Sequence, residues 1–314
     1  VPRLAGWKVT GSAYCDARKR LPLSALETLL TRCTRHMAAA AAGTGRWLGH
    51  RLLVVDGSGF SMPDTPELGA RFGYSGNQAR GCGFPVARWL ALMHYGSGLI
   101  EKVLLAPLDS HDISRVAQLH PGLQAGDVLL GDRAYGSFVH FGLLVSRGLH
   151  GIFRAHQQRI IDFTPGRSHA EPRRAKQVQR RGLPHSRWVV SYGPGDQLVE
   201  WFKPRSAPPW LSQREWFALP ASLQVRELQY TISRRGFRVK TVKLVTTLLD
   251  PVRYPKEQLA EAYRLRWSIE TAFGHLKTTM KMNVLHCRTV SGILKELTMF
   301  VLVYNLVRMT MLEA

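Results

Sequence analysis

Short apolar runs separated by glycine-rich turns dominate the first half of the chain and predict a mixed α/β sheet. Residues 51–56 form an apolar strand that ends at Asp56 before Gly57-Ser58-Gly59. Two further strands, 86–95 and 99–105, are joined by a hairpin turn. The elements predicted next are a helix at 110–119, a strand at 127–131, a helix at 137–146 and a strand at 151–154.

The first 50 residues are predicted to form a helical N-terminal region. Residues 25–42 favour a helix with Ser24 as its N-cap and Glu27 at the third position of a capping box. The chain begins with Val1 and shows no signal-peptide pattern. We therefore expect a further N-terminal region to precede it.

Residues 156–250 are predicted to form an all-β subdomain between the two parts of an α/β domain, 51–155 and 251–314. Their segments are short, rich in Val, Thr and aromatic residues, and separated by Gly/Pro turns. We expect its tryptophans to lie in the subdomain core, although one of them could stack on an unpaired base. The tryptophans are Trp188, Trp201, Trp210 and Trp216, and the strands are 187–192, 198–202, 215–219, 224–233 and 241–249.

The helix predicted over 255–279 carries two separate stripes. One stripe, about 60° wide, carries an acid, two cations and a phenol, and another face is apolar. A purely structural helix needs only the apolar face, so the charged stripe suits a metal-bound phosphodiester chain. The alternative is a solvated face with ion pairs between residues i and i+4. The charged stripe contains Tyr263, Arg266, Glu270 and Lys277, and the apolar face contains Leu265, Ile269, Ala272 and Leu276.

Charge and hydropathy narrow the possible functions. The chain has 43 Lys+Arg against 22 Asp+Glu, a net charge of +21, which favours nucleic acid as partner over generic solubility or a membrane surface. The closing apolar helix, 290–312, contains Asn305 and Arg308, so no membrane span is expected. The four cysteines lack a CxxC pair, which gives no signal for a zinc site or a disulfide framework.

Three carboxylates occupy positions typical of a metal site. Asp56 and Asp132 end predicted strands, and Glu270 lies on the charged stripe. If the two strands are neighbours, these residues can hold two Mg²⁺ ions about 4 Å apart, with Mn²⁺ as a substitute. The structural alternatives are a turn or cap at Asp56, a cap or an ion pair with Arg133 at Asp132, and an exposed ion pair at Glu270. Asp64 is a less favoured first ligand, because it lies beyond the strand.

The spacing Tyr-x2-Arg-x3-Glu-x6-Lys, over 263–277, resembles the signature of DDE transposases of the insertion-sequence-four family. The segments LLVVDGSGFSMPDTPEL (52–68), GFPVARW (83–89) and GDRAYGS (131–137) are similar to that family's blocks around its first and second aspartates. The resemblance implies a ribonuclease-H-like mixed sheet flanked by helices, with an inserted all-β subdomain.

The resemblance also implies cut-and-paste DNA transposition in the cytoplasm of a prokaryote. Asp56, Asp132 and Glu270 would bind two Mg²⁺ ions for phosphodiester hydrolysis and strand transfer. The partners would be terminal inverted repeats and target DNA, with a homodimer in the synaptic complex. In related enzymes the phosphate contacts support a flipped base and a hairpin intermediate. The residues predicted to contact DNA are Tyr263, Arg266, Lys277, Arg133, Arg173, Arg174, Arg180 and Arg181.

Two other functions are compatible with the same residues. A related nuclease or resolvase would use the same acids to cut DNA without strand transfer. A non-catalytic DNA-binding protein derived from a transposase would keep the basic surface, but it gains nothing from three carboxylates that face phosphate. The basic run over 166–187 either tracks the DNA backbone or forms a solvated loop, and Arg133 either binds DNA or supports the Asp132 loop.

Overall fold

The described part of the chain is built around one sheet of ten strands. The computed structural model describes residues 10–41, 43–75, 83–108, 112–170, 182–232 and 240–314. The strands are β1 (Arg46–Trp47), β2 (His50–Ser61), β3 (Val86–His94), β4 (Ile100–Pro107), β5 (Val128–Gly131), β6 (His150–Arg154), β7 (Ser186–Gly193), β8 (Asp196–Phe202), β9 (Ser222–Ile232) and β10 (Lys240–Thr246).

Side-chain caps explain several helix starts. Thr10, Thr65, Ser137 and Thr289 each accept a hydrogen bond from a backbone N–H of the following first turn. The helices are α1 (Gly11–Arg20), α2 (Leu23–Ala40), α3 (Pro66–Phe72), α4 (Asp112–Arg115), α5 (Phe138–Val145), α6 (Gln213–Ala218), α7 (Lys256–Arg264), α8 (Trp267–Gly274) and α9 (Val290–Glu313), with 3₁₀ turns at Val116–Gly122 and Arg133–Tyr135 and a π-helical turn at His275–Thr279.

Five strands have the order and directions of a ribonuclease-H-like sheet. β3 is antiparallel to β2 and β4 is antiparallel to β3. β5 is parallel to β2, and β6 is parallel to β5. The resulting order β4-β3-β2-β5-β6 confirms the mixed sheet expected from the sequence.

The predicted β insertion extends this sheet and does not form a separate one. β10 pairs antiparallel with β6, and β9, β8 and β7 follow at the same edge. The prediction of a strand over 215–219 is wrong, because residues 215–218 belong to α6 and residue 219 is its C-cap. Ser212 and Glu215 form a capping box there, a local helix signal that outweighs the aromatic residues around it.

The central strands of the sheet are buried on both sides, so successive residues of these strands enter different cores. We call one side the α8 face, where Val54 packs in the same cluster as Ile269 and Leu297. The other side is the α5 face, where Val55 packs in the same cluster as Phe141. This alternation decides which side of the sheet each later functional residue occupies.

Three predicted boundaries are corrected by tertiary contacts. β2 continues through the Gly-Ser-Gly segment as far as Ser61, because it remains paired with β3 up to Val86. α2 begins at Leu23, directly after Pro22, so Ser24 lies inside the helix and is not its N-cap. The helix predicted over 110–119 is one short α turn followed by a 3₁₀ segment that contains a proline.

α9 is a core helix. Among the described residues it alone is long and apolar enough to cross a membrane. It packs against α2 and buries Ile293 and Val301. The Asn305 amide donates to the Ile100 carbonyl at 2.8 Å and accepts from the Ile100 N–H at 2.9 Å. These contacts anchor the closing helix predicted over 290–312 against β4.

Two buried histidines support the loop that follows Asp132. The Nε2 atoms of His120 and His140 are 3.0 Å apart, and His140 Nδ1 is 2.8 Å from the Tyr135 carbonyl. A carbonyl only accepts, so His140 donates through Nδ1 and accepts the His120 proton at Nε2. Burial lowers the pKa of His120 to about 3 and that of His140 to about 4.

We predict that the free energy of unfolding falls as the pH decreases from about 7 to about 5. Both histidines are neutral in the native protein, whereas in the unfolded chain they bind protons below about pH 6.5. Stability is therefore complete above that pH and is lost as the pH falls towards the native pKa values. Urea titrations should show a weaker pH dependence for His120→Gln/His140→Asn, which cannot titrate. The same pH dependence in both proteins would contradict the assignment.

Candidate functional site

The strand register brings the first two predicted carboxylates side by side. Val54 of β2 is paired with Leu130 of the parallel strand β5, and this is the last pair of that ladder. Asp56 and Asp132 each lie two residues further along, so they share a level of the sheet. Because side chains alternate, both aspartates are on the α8 face. The sheet order therefore places them at one site, although Asp56 lies within β2 and not at its end.

Helix α8 carries the third carboxylate over the same face. Glu270 is next to Ile269, which is buried in the core of that face. Burial raises the pKa of the Asp56 carboxyl, and the charges of Glu270 and Asp132 raise it further. The Gly57 N–H donates to Asp56 at 2.8 Å and lowers the pKa in turn. Asp56 thus lies close enough to Glu270 and to Asp132 for the charge of each to act on it.

Arg266 lies between two of these acids. Its Nη1 is 3.1 Å from Asp56 Oδ2, and its Nη2 is 2.8 Å from Glu270 Oε1. The Arg266 side chain is 10% exposed, against 22% for Asp56 and 47% for Glu270. A guanidinium is the only cation shown between these carboxylates in the described part of the chain. It offsets part of their repulsion in this structure.

The helix predicted over 255–279 is interrupted, so its charged residues do not form the continuous stripe predicted from the sequence. α7 ends at Arg264, α8 begins at Trp267, and a π-helical turn follows Gly274. Leu265 packs partly buried against the core, and Ile269, Ala272 and Leu276 are buried in it, which confirms the predicted apolar face. The break sets the direction of Arg266, which is the N-cap of α8.

Tyr263 is buried behind Arg266. The guanidinium carbon of Arg266 is 5.9 Å from the centroid of the Tyr263 ring, and Tyr263 is 5% exposed. Burial raises the pKa of the phenol to about 12. In this conformation the ring supports Arg266, and its predicted contact with DNA stays a prediction.

The other residues predicted to contact DNA are spread around the site. Lys277 is in the π-helical turn, with Nζ 5.3 Å from the Phe60 ring centroid, and burial lowers its pKa. Arg133 follows Asp132, is exposed, and donates to Gln157 at 2.7 Å. The four arginines of the basic run lie outside the described residues, namely Arg173, Arg174, Arg180 and Arg181.

Several alternatives fit the structure less well. Asp64 is exposed and accepts a hydrogen bond from the Tyr74 hydroxyl at 2.7 Å. Trp201 and Trp216 are buried in the core of the α5 face, and Trp210 packs against it. The predicted core role holds for these three tryptophans. Trp188 is only half-buried.

One exposed aromatic residue beside the site escaped the sequence reading. Trp267 directly follows Arg266 and is 62% exposed, unusually open for so large an apolar side chain. On the helical wheel Trp267 borders the charged stripe, at about 40° from Tyr263. Its position in the sequence was therefore enough to identify it as a candidate site residue. The exposed ring offers a stacking surface next to the carboxylates.

The donor chemistry of the site fits a hard divalent ion, since carboxylate oxygens are the ligands that Mg²⁺ prefers. Within the described ranges, however, no three His, Cys, Asp or Glu side chains lie close enough to hold a metal ion. The Arg266 guanidinium occupies the space between Asp56 and Glu270. The donor atoms therefore suit Mg²⁺ in kind, whereas their present arrangement suits the Arg266 cation.

Fold and site define a ribonuclease-H-like protein with two aspartates at one level of neighbouring strands and a glutamate on a helix over the same face, and the comparisons with known proteins agree. The model of the transposase DDE domain family matches residues 47–306. Transposase InsG for insertion sequence element IS4 of Escherichia coli (strain K12) is 28% identical over 97% of this chain and 62% of that protein. Putative transposase InsZ of the same organism is 32% identical over 31% of this chain and 32% of that protein.

The chain belongs to the transposase DDE domain family and, within it, to the insertion-sequence-four transposases. It spans 62% of the length of InsG. A cryo-EM structure of a piggyBac transposase synaptic complex with hairpin DNA aligns with 81% of this chain and 46% of that chain, with 10% identity and a TM-score of 0.43.

We predict that Arg266→Met lowers the free energy of unfolding by about 1–2 kcal/mol without divalent ions, because it leaves two facing carboxylates without their cation. Arg264→Met is the matched control, since Arg264 is exposed two residues earlier, at the end of α7. Urea unfolding of both variants measures the difference. Equal stability would show that the Arg266 contacts contribute nothing.

Proposed function

We propose that this chain is the catalytic part of a DNA transposase that cuts DNA at the ends of an insertion sequence and joins those ends to target DNA. The observation that carries the proposal is the cluster of Asp56, Asp132 and Glu270 on one face of the sheet, with Arg266 between two of them. Family membership gives the reaction class, transfer and hydrolysis of phosphodiesters.

Asp56, Asp132 and Glu270 would hold two Mg²⁺ ions, with Mn²⁺ as a substitute. When bound, such ions activate a water or a 3′-hydroxyl and stabilise the leaving oxygen. Asp56 favours cation binding because it is partly desolvated among like charges, which raises its pKa without a metal. Arg266 partly neutralises this charge in the present structure, and it would give way to metal ions held by the same carboxylates.

Arg266 then becomes free to contact a DNA phosphate, and Lys277 and Arg133 provide further positive charge near the acids. Tyr263 supports Arg266 from behind. The exposed Trp267 ring is accessible for stacking on an unpaired DNA base.

The partners proposed are the terminal inverted repeats and the target DNA, with a homodimer in the synaptic complex. The net charge of +21 supports a polyanionic partner, and InsG is named as the transposase of an insertion sequence. A bacterial cytoplasm is the proposed compartment, because that is where the element's DNA lies.

Asp56→Asn, Asp132→Asn and Glu270→Gln should each reduce cleavage of DNA carrying the element's ends by at least about 10³-fold, equivalent to about 4 kcal/mol of barrier. Binding of the same DNA should persist, since these changes remove negative charge. The assay uses Mg²⁺ or Mn²⁺ and separates nicked, hairpin and strand-transfer products. Full activity of one variant would remove that residue from the site.

The same assay distinguishes the competing functions. Cleavage without strand-transfer products would indicate a nuclease or resolvase. DNA binding by the wild-type protein with no cleavage under either metal would indicate a non-catalytic binding protein.

Replacing Arg173, Arg174, Arg180 and Arg181 with Gln should weaken DNA binding and make it less salt-dependent. Each lost phosphate contact lowers the slope of log affinity against log salt by about 0.9, so four contacts would lower it by about 3–4. Fluorescence anisotropy between about 50 and 200 mM salt measures that slope. An unchanged slope would identify the run as a solvated loop.

A further inference from the structure

The Arg266 guanidinium occupies the position between two of the carboxylates that are proposed to bind metal. Its Nη1 lies 3.1 Å from Asp56, and its Nη2 lies 2.8 Å from Glu270. Within the described residues no three His, Cys, Asp or Glu side chains are close enough to hold a metal ion. The arginine and a metal ion therefore compete for the same carboxylate oxygens.

The contacts that hold Arg266 in this position are incomplete. The residue is 8% exposed, yet its buried Nε has no hydrogen-bond partner within the described part of the chain. A buried donor without a partner costs free energy. A phosphodiester has two non-bridging oxygens that can accept a bidentate pair of N–H bonds, so it would offer a partner to Nε as well.

The side chains of this ion pair are freer to move than the helix that carries them. Ile269 and Ala272 of α8 are buried in the core of the α8 face, which fixes the helix on the sheet. The Glu270 side chain is 47% exposed, and its one hydrogen bond among the described residues comes from Arg266. Rotamer changes at Arg266 and Glu270 can therefore separate the pair while the helix stays in place.

We propose that Arg266 couples metal binding to DNA binding, because a backbone phosphate draws it away from Asp56 and Glu270 and leaves these carboxylates to divalent ions. The inference rests on the proposed function, in which the same carboxylates hold Mg²⁺ beside DNA. Since one competitor links the two events, phosphate raises the affinity for metal by the same factor by which metal raises the affinity for phosphate. DNA that binds away from Arg266 leaves the arginine on the carboxylates.

The test is a titration with Mn²⁺, in which the electron paramagnetic resonance signal of the free ion gives the affinity of the protein with and without a DNA duplex. The duplex stops where the element ends, so no bond is left to cut, and Mn²⁺ binding by the duplex alone is measured and subtracted. The duplex should raise the affinity of wild-type protein for Mn²⁺ about tenfold, within the range usual for coupled sites. Equal affinity with and without the duplex would overturn the coupling.

Arg266→Gln separates the effect of the arginine from direct ligation of the metal by DNA. This variant lacks the competitor, so without DNA it should bind Mn²⁺ about tenfold more tightly than wild-type protein, and the duplex should raise its affinity correspondingly less. Arg264→Gln is the matched control, because it removes the same charge from an exposed residue two positions earlier, and it should keep the wild-type affinities. If Arg266→Gln does not fold, Arg266→Lys takes its place, since a single ammonium cannot reproduce the two-pronged contact.

Three further results would overturn the coupling. They are a DNA-free affinity of Arg266→Gln equal to that of wild-type protein, a duplex effect of the same size in both proteins, and an equal gain in Arg264→Gln, which would assign the effect to net charge. If wild-type protein lacks the coupling and still cleaves element ends with Mn²⁺, the proposed function stands alone. If it binds no Mn²⁺ with or without the duplex and cleaves no DNA, both proposals fall.

Discussion

The candidate site depends on one electrostatic interaction: the Arg266 guanidinium contacts Asp56 and Glu270 and partly neutralises their negative charge. A ribonuclease-H-like sheet brings two aspartates to the same level, and a helix packed on that face adds a glutamate. Asp56 is partly desolvated and lies near the like charges of Glu270 and Asp132, so the adjacent Arg266 cation stabilises its ionised form. In this structure the chain supplies its own cation, from the same helix that supplies the third acid.

The break between α7 and α8 gives Arg266 its position. A continuous helix would keep Arg266 on a fixed stripe with Tyr263, whereas the break makes Arg266 the N-cap of α8. Its guanidinium then reaches both Glu270, one turn further along, and Asp56 on the sheet. The buried Tyr263 ring closes the space behind it. Irregular backbone at this point is therefore part of how the site is built.

The extension of the sheet gives the insertion a defined geometry. Its strands carry buried charges that only accurate pairing satisfies, such as Arg226 with Asp196 across β8 and β9. Buried ion pairs of this kind add little net stability, but they penalise a wrong register. Lys203, which follows β8, donates to the carbonyls of Trp216 and Leu219 and lines the same pocket as Arg133. The insertion thus continues the sheet that carries the candidate site.

The sequence by itself determined the local elements and the residue types of the site. Strand alternation and helical periodicity report which face of an element is apolar. They were therefore sufficient to predict β2, β5, β6 and the apolar side of α8. The positions of the acids in these elements identified the candidate site residues Asp56, Asp132 and Glu270. Only the tertiary structure decided which strands are neighbours, that the insertion joins the sheet, and that Arg266 pairs with two acids. It also brought Arg133, Arg159 and Lys203 to one pocket. Periodicity contains no information about partners distant in sequence, whereas pairing, desolvation and charge compensation depend on them.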